Sequence, residues 1–248
     1  MKKRVFLLCS LLVVSILLTA CGGEEPVGSE VTPGGEEVVV GGEVTPNDGA
    51  EETEEVPELA DAPRAIGRVE GGTYTNEYLG VAAALNENWE FYTAEELQEL
   101  PGLAAEGFEG TELGELAKDV EYFTDMQAEN VNDLATLNIV YQRLDMAGRL
   151  AYAQMTEEEI VEETLAQKDM IIEAYTQGGI VTESMEKKTV QFLGEEHCAI
   201  YTVASVEGTP YYMLQLFSFN IGEWGVTMTF GSYVEDRTES LLELFYKI

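Results

Sequence analysis

The sequence predicts an α+β fold for residues 73–248, an antiparallel β-sheet covered by helices on its faces. Apolar and polar residues alternate from Thr136 to Gln142, which is typical of a β-strand with one buried face. A Thr-Glu-Glu-Glu motif at Thr156 begins a helical pattern that ends at Gly178-Gly179. After this glycine pair the pattern is mostly that of strands. Helices and strands are therefore grouped along the chain, as in an α+β fold.

Residues 1–20 have the features of a secretory leader. Met1 is followed by three basic residues, and an almost unbroken apolar run extends from Val5 to Leu18. A membrane-spanning helix needs about 20 apolar residues to cross roughly 30 Å of hydrocarbon, so this run is too short. We interpret it as a cleaved signal peptide.

The leader ends in Leu18-Thr19-Ala20-Cys21, which resembles the bacterial lipobox. The resemblance implies that a diacylglyceryl group is attached to the sulfur of Cys21 and that a peptidase cleaves before this residue. Two acyl chains anchor a protein stably, whereas one binds a membrane only marginally. We expect a lipoprotein, further acylated by a fatty acid such as palmitate, on the extracytoplasmic face of the cell membrane.

Residues 21–72 are predicted to be an acidic, disordered linker behind the lipidated cysteine. This segment is rich in Glu, Gly, Pro, Thr and Val, and Glu-Val-Thr-Pro occurs at Glu30 and again at Glu43. It lacks the apolar surface needed to offset the entropy lost on ordering. We expect it to hold the folded domain away from the bilayer.

The folded domain is predicted to begin with a short extended pair around Gly80. Thr93 then starts a helix, because Glu96 lies at the position of a capping box. Pro101-Gly102 is predicted to end this helix. A strand near Tyr122 to Ala128 is expected to pair with the alternating strand described above.

The Thr156 helix is predicted to run unbroken to the glycine pair, with a buried stripe. Its members are Ile160, Val161, Leu165, Ile172 and Tyr175. The strands expected after it are Val181 to Lys187, Val190 to Leu193, His197 to Ala204, Tyr211 to Phe219 and Trp224 to Phe230. The last two should form a hairpin around Gly222-Glu223. A final helix is predicted from Arg237 to Tyr246, with Leu241, Leu242 and Phe245 facing inward.

The order of these motifs resembles uncharacterised surface lipoproteins of Gram-positive bacteria that carry a PsbP-like domain. The motifs are Tyr74-Thr75-Asn76, Gly80, Trp89, Glu95-Glu96-Leu97, Val140-Tyr141, Thr156 to Glu159, Phe192-Leu193-Gly194 and Tyr211-Tyr212. The resemblance implies an antiparallel sheet sandwiched by helices and supplies no catalytic residue. Asn86-Glu87-Asn88 departs from it, since relatives commonly have a proline and a glycine before the tryptophan.

Charge and cysteine content exclude several classes of function. The chain has 47 acidic and 13 basic residues and a net charge of −34, which disfavours nucleic-acid binding. Of three cysteines, Cys9 lies in the leader and Cys21 takes the lipid, so only Cys198 remains as a thiol. An internal disulfide and a cysteine-rich zinc site are therefore not expected, and one histidine is too few for the usual zinc sites.

Two motifs suggest enzymes but fit poorly. Ser184 and Lys187 match Ser-x-x-Lys, yet they lie in a predicted strand, where residues three apart face opposite ways. His197 and Cys198 are adjacent on a strand and should also point apart, so they are not expected to form a catalytic dyad.

Acidic clusters leave other possibilities open. Glu157 to Glu159 and Glu129 to Asp133 could bind calcium, but the Asp-x-Asn-x-Asn-Gly loop is absent. No glycine-rich phosphate loop occurs in the domain. We expect a non-enzymatic binding or assembly module without a cofactor, tethered to the membrane and possessing an unidentified protein or envelope partner. The alternatives are a cell-envelope hydrolase and a small-ligand or calcium capture protein.

Overall fold

A seven-stranded antiparallel sheet forms the centre of the fold. The computed structural model describes residues 67–107, 110, 111, 114 and 120–248, and only the backbone of 102–107 and 218–221. The predicted leader, Cys21 and nearly all of the predicted linker lie outside the described residues. The strands of the large sheet are β4 (Trp89–Phe91), β5 (Tyr122–Asn130), β6 (Ala135–Arg143), β7 (Ile180–Phe192), β8 (Glu195–Val206), β9 (Thr209–Ile221) and β10 (Trp224–Tyr233). Their spatial order is β4-β5-β6-β10-β9-β8-β7.

Tight turns join the last strands of this sheet. Leu193 and Gly194 both have positive φ between β7 and β8, and so do Glu207 and Gly208 between β8 and β9. Two such residues form the turn whose twist matches that of the flanking strands. Gly222, also at positive φ, begins the predicted hairpin between β9 and β10.

A smaller sheet contains β1 (Arg68–Glu70), β2 (Thr73–Asn76), β3 (Val81–Ala84) and β11 (Phe245–Lys247), in that order. All its pairings are antiparallel. β1 pairs with β2, so Arg68–Glu70 belong to the folded part of the chain. The sequence predicted these residues as part of the linker.

Five helices lie within the described residues. They are α1 (Ala94–Gly107), α2 (Met146–Tyr152), α3 (Glu157–Ala166), α4 (Lys168–Gln177) and α5 (Thr238–Leu242). α1 packs on β5, whereas α3 and α4 pack on β7, β8 and β9. None of the described helices is long and apolar enough to cross a membrane.

The large sheet separates two hydrophobic cores. Tyr175, Tyr211 and Phe217 belong to the core on the helix side. On the opposite side, Tyr74 of the small sheet and Leu241 of α5 pack with Phe230 of β10. The α+β class and the antiparallel pairing are thus as predicted, but the second face is covered by a small sheet and a short helix.

Three predictions about local structure are wrong. α1 continues through Pro101 to Gly107 instead of ending at Pro101-Gly102. The helix after Thr156 is divided at Gln167, and Ile171 and Ala174 are buried where Ile172 was expected. The last helix ends at Leu242, and the chain then forms β11.

Candidate functional site

A cleft of about 540 Å³ lies between α1 and β5. The helix begins where predicted, because the Thr93 N–H donates to Glu96 Oε2 (2.9 Å) and the Glu96 N–H donates to Thr93 Oγ1 (3.3 Å). The residues of α1 that line the cleft have the spacing of one helix face. They are Ala94, Leu97, Gln98 and Pro101. β5 and its approach supply the opposite wall, residues 121–125.

Polar side chains cover the helix side of β5 and β6. Thr124 is paired with Val140, Gln127 with Asn138, and Tyr122 with Gln142. Directly paired residues of antiparallel strands project to the same face. Thr124, Gln127, Asn138 and Gln142, which we call the polar floor, are each at most 5% exposed. The predicted half-buried strand is therefore buried on both faces, and its polar face is turned inward.

Four atoms of the polar floor have no hydrogen-bond partner among the described residues. They are Thr124 Oγ1, Gln127 Nε2, Asn138 Oδ1 and Gln142 Nε2. Leaving such a group unpaired costs about 1–3 kcal/mol. Native proteins rarely retain this cost without a functional reason or a bound molecule that satisfies the group.

Other side-chain atoms on this face of the sheet do form hydrogen bonds. Asn138 Nδ2 donates to Gln127 Oε1 (2.9 Å), which fixes the facing edges of these two amides. Across β10, Gln215 Nε2 donates to Thr229 Oγ1 at 3.4 Å. Of the four residues of the polar floor, only Thr124 is among the described residues that line the cleft.

Tyr122 links the two walls of the cleft. Its hydroxyl group donates to the carbonyl oxygen of Pro101 at 3.0 Å. Burial raises the pKa of Tyr122, so the hydroxyl remains a protonated donor. This hydrogen bond and the burial of Leu100 hold α1 against the sheet around Pro101.

A β-bulge between Thr124 and Met126 turns Asp125 toward the small sheet. Asp125 accepts hydrogen bonds from the Gly67 N–H (2.9 Å), the Tyr74 hydroxyl (2.5 Å) and Asn76 Nδ2 (2.9 Å). Burial, followed by the charge of Asp125, raises the pKa of Tyr74 far above its ordinary range. The carboxylate is therefore engaged in joining the sheets.

Ser184 and Lys187 do not form a catalytic pair. Ser184 is opposite Val203 and Lys187 is opposite Ile200, and these two β8 residues lie on different faces of the sheet. Lys187 Nζ donates to Glu158 and Glu162 at 2.6 Å each. These hydrogen bonds raise the pKa of Lys187, which disfavours its neutral form.

His197 and Cys198 are instead joined through Glu157 at the beginning of α3. His197 Nδ1 lies 2.9 Å from Glu157 Oε1, and the Cys198 N–H donates to Glu157 Oε2 at 3.3 Å. Burial, with the nearby charge of Glu158, raises the pKa of the partly buried Cys198 thiol, which disfavours a thiolate. The sequence did not indicate the contact with Glu157.

The acidic clusters are engaged within the protein. Glu129 accepts a hydrogen bond of 2.5 Å from the Tyr92 hydroxyl, and Asp133 forms an ion pair of 2.8 Å with Arg237. In the part of the chain that the structure describes, no three His, Cys, Asp or Glu side chains are placed to hold a metal ion.

The chain matches no family model, and no curated protein is significantly similar to it in sequence. Folds of the α+β class serve unrelated activities, so the architecture alone assigns none. The functional interpretation depends on the groups that face the cleft.

Proposed function

We propose that this chain is a lipid-anchored lipoprotein of the bacterial cell surface and that its PsbP-like folded part is a non-enzymatic binding module. The leader and the lipobox at Cys21 support the anchor and the extracytoplasmic location. The central antiparallel sheet, covered on both faces, supports the PsbP-like assignment.

Binding is supported above all by the cleft between α1 and β5. Its described lining combines apolar residues such as Leu97 and Pro101 with polar ones such as Gln98 and Glu121. A concave site with a few polar groups is the usual arrangement for a small-molecule ligand. The ligand lies between α1 and β5 and contacts both walls of the cleft.

A binding role fits the remaining chemistry better than catalysis. Lys187 is held by two carboxylates, and the Cys198 thiol is stabilised in its protonated form. The buried carboxylate of Asp125 accepts hydrogen bonds that connect the two sheets.

Blocking the cleft tests the binding role. In the Gln98→Trp variant, a large ring is introduced on the exposed helix face that lines the cleft. Glu99→Trp is the matched control, because Glu99 is also exposed but is not among the described lining residues. Native mass spectrometry of the full chain purified from membranes should detect a small molecule with the wild type and Glu99→Trp, but not with Gln98→Trp. Equal occupancy in all three proteins would refute binding in the cleft.

The anchor has a separate test. Cells expressing the Cys21→Ser variant should incorporate no labelled fatty acid into the protein, because a serine hydroxyl cannot form the thioether. Cys198→Ser is the control and should be labelled like the wild type. Labelling of Cys21→Ser would show that the anchor assignment is wrong.

A further inference from the structure

We infer that the cleft between α1 and β5 binds a cationic peptide in an extended conformation, which pairs with the free edge of β5 as an additional strand. This inference rests on the proposed function and specifies its ligand. It is based on the course of the cleft, the backbone groups that face it and the side chains around it.

The cleft lies along the edge of β5 and not over one of its faces. Successive side chains of a strand project to opposite faces of the sheet. Tyr122 projects to the helix side, where it contacts Pro101, whereas Phe123 packs with the core on the other side. All the residues from 121 to 125 line the cleft, so the cavity contacts both faces of the strand and the edge between them.

β4 covers only part of this edge. It pairs with Ala128–Asn130, and the chain then leaves the sheet to begin α1 at Ala94. The last contact is made by the Tyr92 N–H, which donates to the carbonyl oxygen of Gln127 at 2.9 Å. On the side away from β6, no strand of the described residues pairs with β5 before Gln127.

Two residues of β5 direct their backbone groups toward the open edge. In an antiparallel pair, successive residues of a strand bond alternately to the neighbour and away from it. The Arg143 N–H donates to the carbonyl oxygen of Glu121 at 2.8 Å, so Glu121 bonds toward β6. Phe123, two residues later, also bonds toward β6. Tyr122 and Thr124 therefore face away from β6.

The other end of the strand gives the same alternation. Gln127 faces away from β6, since its carbonyl group bonds Tyr92, and the bulge supplies the extra residue between Gln127 and Thr124. The backbone N–H and C=O groups of Tyr122 and Thr124 have no hydrogen-bond partner among the described residues. A free strand edge of this kind is a template for pairing with another chain. Peptides that extend a sheet in this way obtain affinity from the main-chain hydrogen bonds.

The helix wall suits the side chains of such a peptide. Ala94, Leu97 and Pro101 line the cleft from α1. Every second side chain of an added strand would point toward this wall, so apolar residues are favoured at alternate positions of the peptide. The volume of about 540 Å³ falls within the usual range for small-ligand sites, roughly 300–1,000 Å³, and therefore suits a short segment.

The charges around the cleft favour a cationic peptide. Glu121 and Asp125 are the charged residues of the described lining, and both are acidic. The side chain of Glu121 remains 52% exposed although it forms an ion pair with Arg143. The net charge of −34 also attracts cations and repels anions. Lysine or arginine is therefore expected at the positions of the peptide that do not face α1.

The experiment is a titration of the isotope-labelled full chain in detergent, followed by NMR and calorimetry. The probe is the peptide acetyl-Lys-Val-Lys-Val-Lys-amide. Its controls are the acidic counterpart, with Glu in place of Lys, and the cationic peptide N-methylated at every residue, which keeps the charge but has lost its backbone donors. Only the unmethylated cationic peptide should bind, and it should slow hydrogen exchange of the Tyr122 and Thr124 N–H groups at least about tenfold.

A charge-reversal variant tests the choice of a cation. Glu121→Lys should weaken binding of the cationic peptide about tenfold. Glu163→Lys is the matched control, because it changes the net charge equally but lies on α3, outside the described lining of the cleft. Its affinity should be close to that of the wild type.

A proline variant tests the strand pairing. Thr124→Pro removes a backbone N–H that does not bond to β6, and it should weaken peptide binding about tenfold. Circular dichroism checks that the variant folds. If it does not fold, the N-methylated peptide provides the equivalent test with the wild-type protein.

The possible failures are distinguishable. Equal binding of the N-methylated or the acidic peptide would overturn the inference, since neither pairing nor charge would then select the ligand. Slow exchange of both amides before any peptide is added would also overturn it, because the chain itself or a second copy would already fill the edge. If no peptide binds, the inference is wrong, and the mass spectra of Gln98→Trp decide the proposed function independently.

Discussion

The hydroxyl group of Tyr74 donates a hydrogen bond of 2.5 Å to Asp125 Oδ2, and this contact connects the small sheet to the large one. Asp125 occupies the extra position of the bulge in β5, whereas Tyr74 is a fully buried residue of β2. Asn76 Nδ2 joins the network by donating to Asp125 and to the hydroxyl oxygen of Tyr141, at 2.9 Å in each case.

The Asp125→Ala substitution should lower the free energy of unfolding by about 3 kcal/mol, because buried donors of Tyr74 and Asn76 lose their charged acceptor. Tyr74→Phe should cost less, about 1–2 kcal/mol, since the ring keeps its packing. Urea unfolding of both variants and the double variant measures the coupling. Strictly additive effects would show that the bond between these residues does not stabilise the fold.

Trp224 should be important for stability. Its side chain is 6% exposed, and the edge-to-face contact places its ring 5.1 Å from that of Phe123. Trp224→Ala should therefore cost about 3–5 kcal/mol, which thermal and urea unfolding can measure.

Ser184→Ala should change the free energy of unfolding by less than about 0.5 kcal/mol, because Ser184 is exposed on the edge strand β7. It should also leave the cellular role intact. A folded Ser184→Ala protein that fails to complement a deletion strain would contradict the non-enzymatic proposal.

The cap of α3 should make a measurable contribution to acid sensitivity. The Thr156 N–H and hydroxyl groups donate to Glu159 Oε2 at 2.8 and 2.9 Å, and they hold the pKa of Glu159 below its ordinary value of 4.5. Because the pKa of Glu159 is lower in the folded protein than in the unfolded one, its charge stabilises the fold at pH values above the unfolded-state pKa. This stabilisation is lost as the pH falls through the folded-state pKa. The difference in Tm between the wild type and Glu159→Gln should therefore shrink between about pH 6 and about pH 3. A constant difference would exclude a role for the charge.

Local sequence patterns predicted the elements whose causes are local. Thr93 and Thr156 begin helices because each is followed three residues later by a glutamate, and both capping boxes are present. The hairpin at Gly222 and the pairing of β5 with β6 likewise follow from turn and alternation patterns.

Long-range contacts explain the elements that the sequence did not predict. Phe245 was expected in a helix, but it pairs with Ala83 of β3, far away in the chain. Pro101 was expected to end α1, but Tyr122 holds its carbonyl group and Leu100 is buried in the helix-side core. Helix propensity is a weak preference that such tertiary contacts override.

The candidate site was missed because alternation was interpreted as exposure. Thr136, Asn138 and Gln142 were expected to face solvent, yet all three are buried. The alternating pattern indicates which side chains share a face, but it does not indicate what covers that face. Asn138 was a possible signal, because asparagine is depleted in strands and its partner on the neighbouring strand is a second amide residue, Gln127.

The unpaired atoms of the polar floor should reduce stability. Thr124 Oγ1 is buried without a hydrogen-bond partner among the described residues, so the nearly isosteric Thr124→Val substitution removes a desolvated polar group and keeps the packing. The free energy of unfolding without ligand should rise by about 1 kcal/mol, and Thr202→Val should produce a similar rise. Urea unfolding measures both values. A loss of stability in Thr124→Val would mean that its hydroxyl group is already satisfied within the protein.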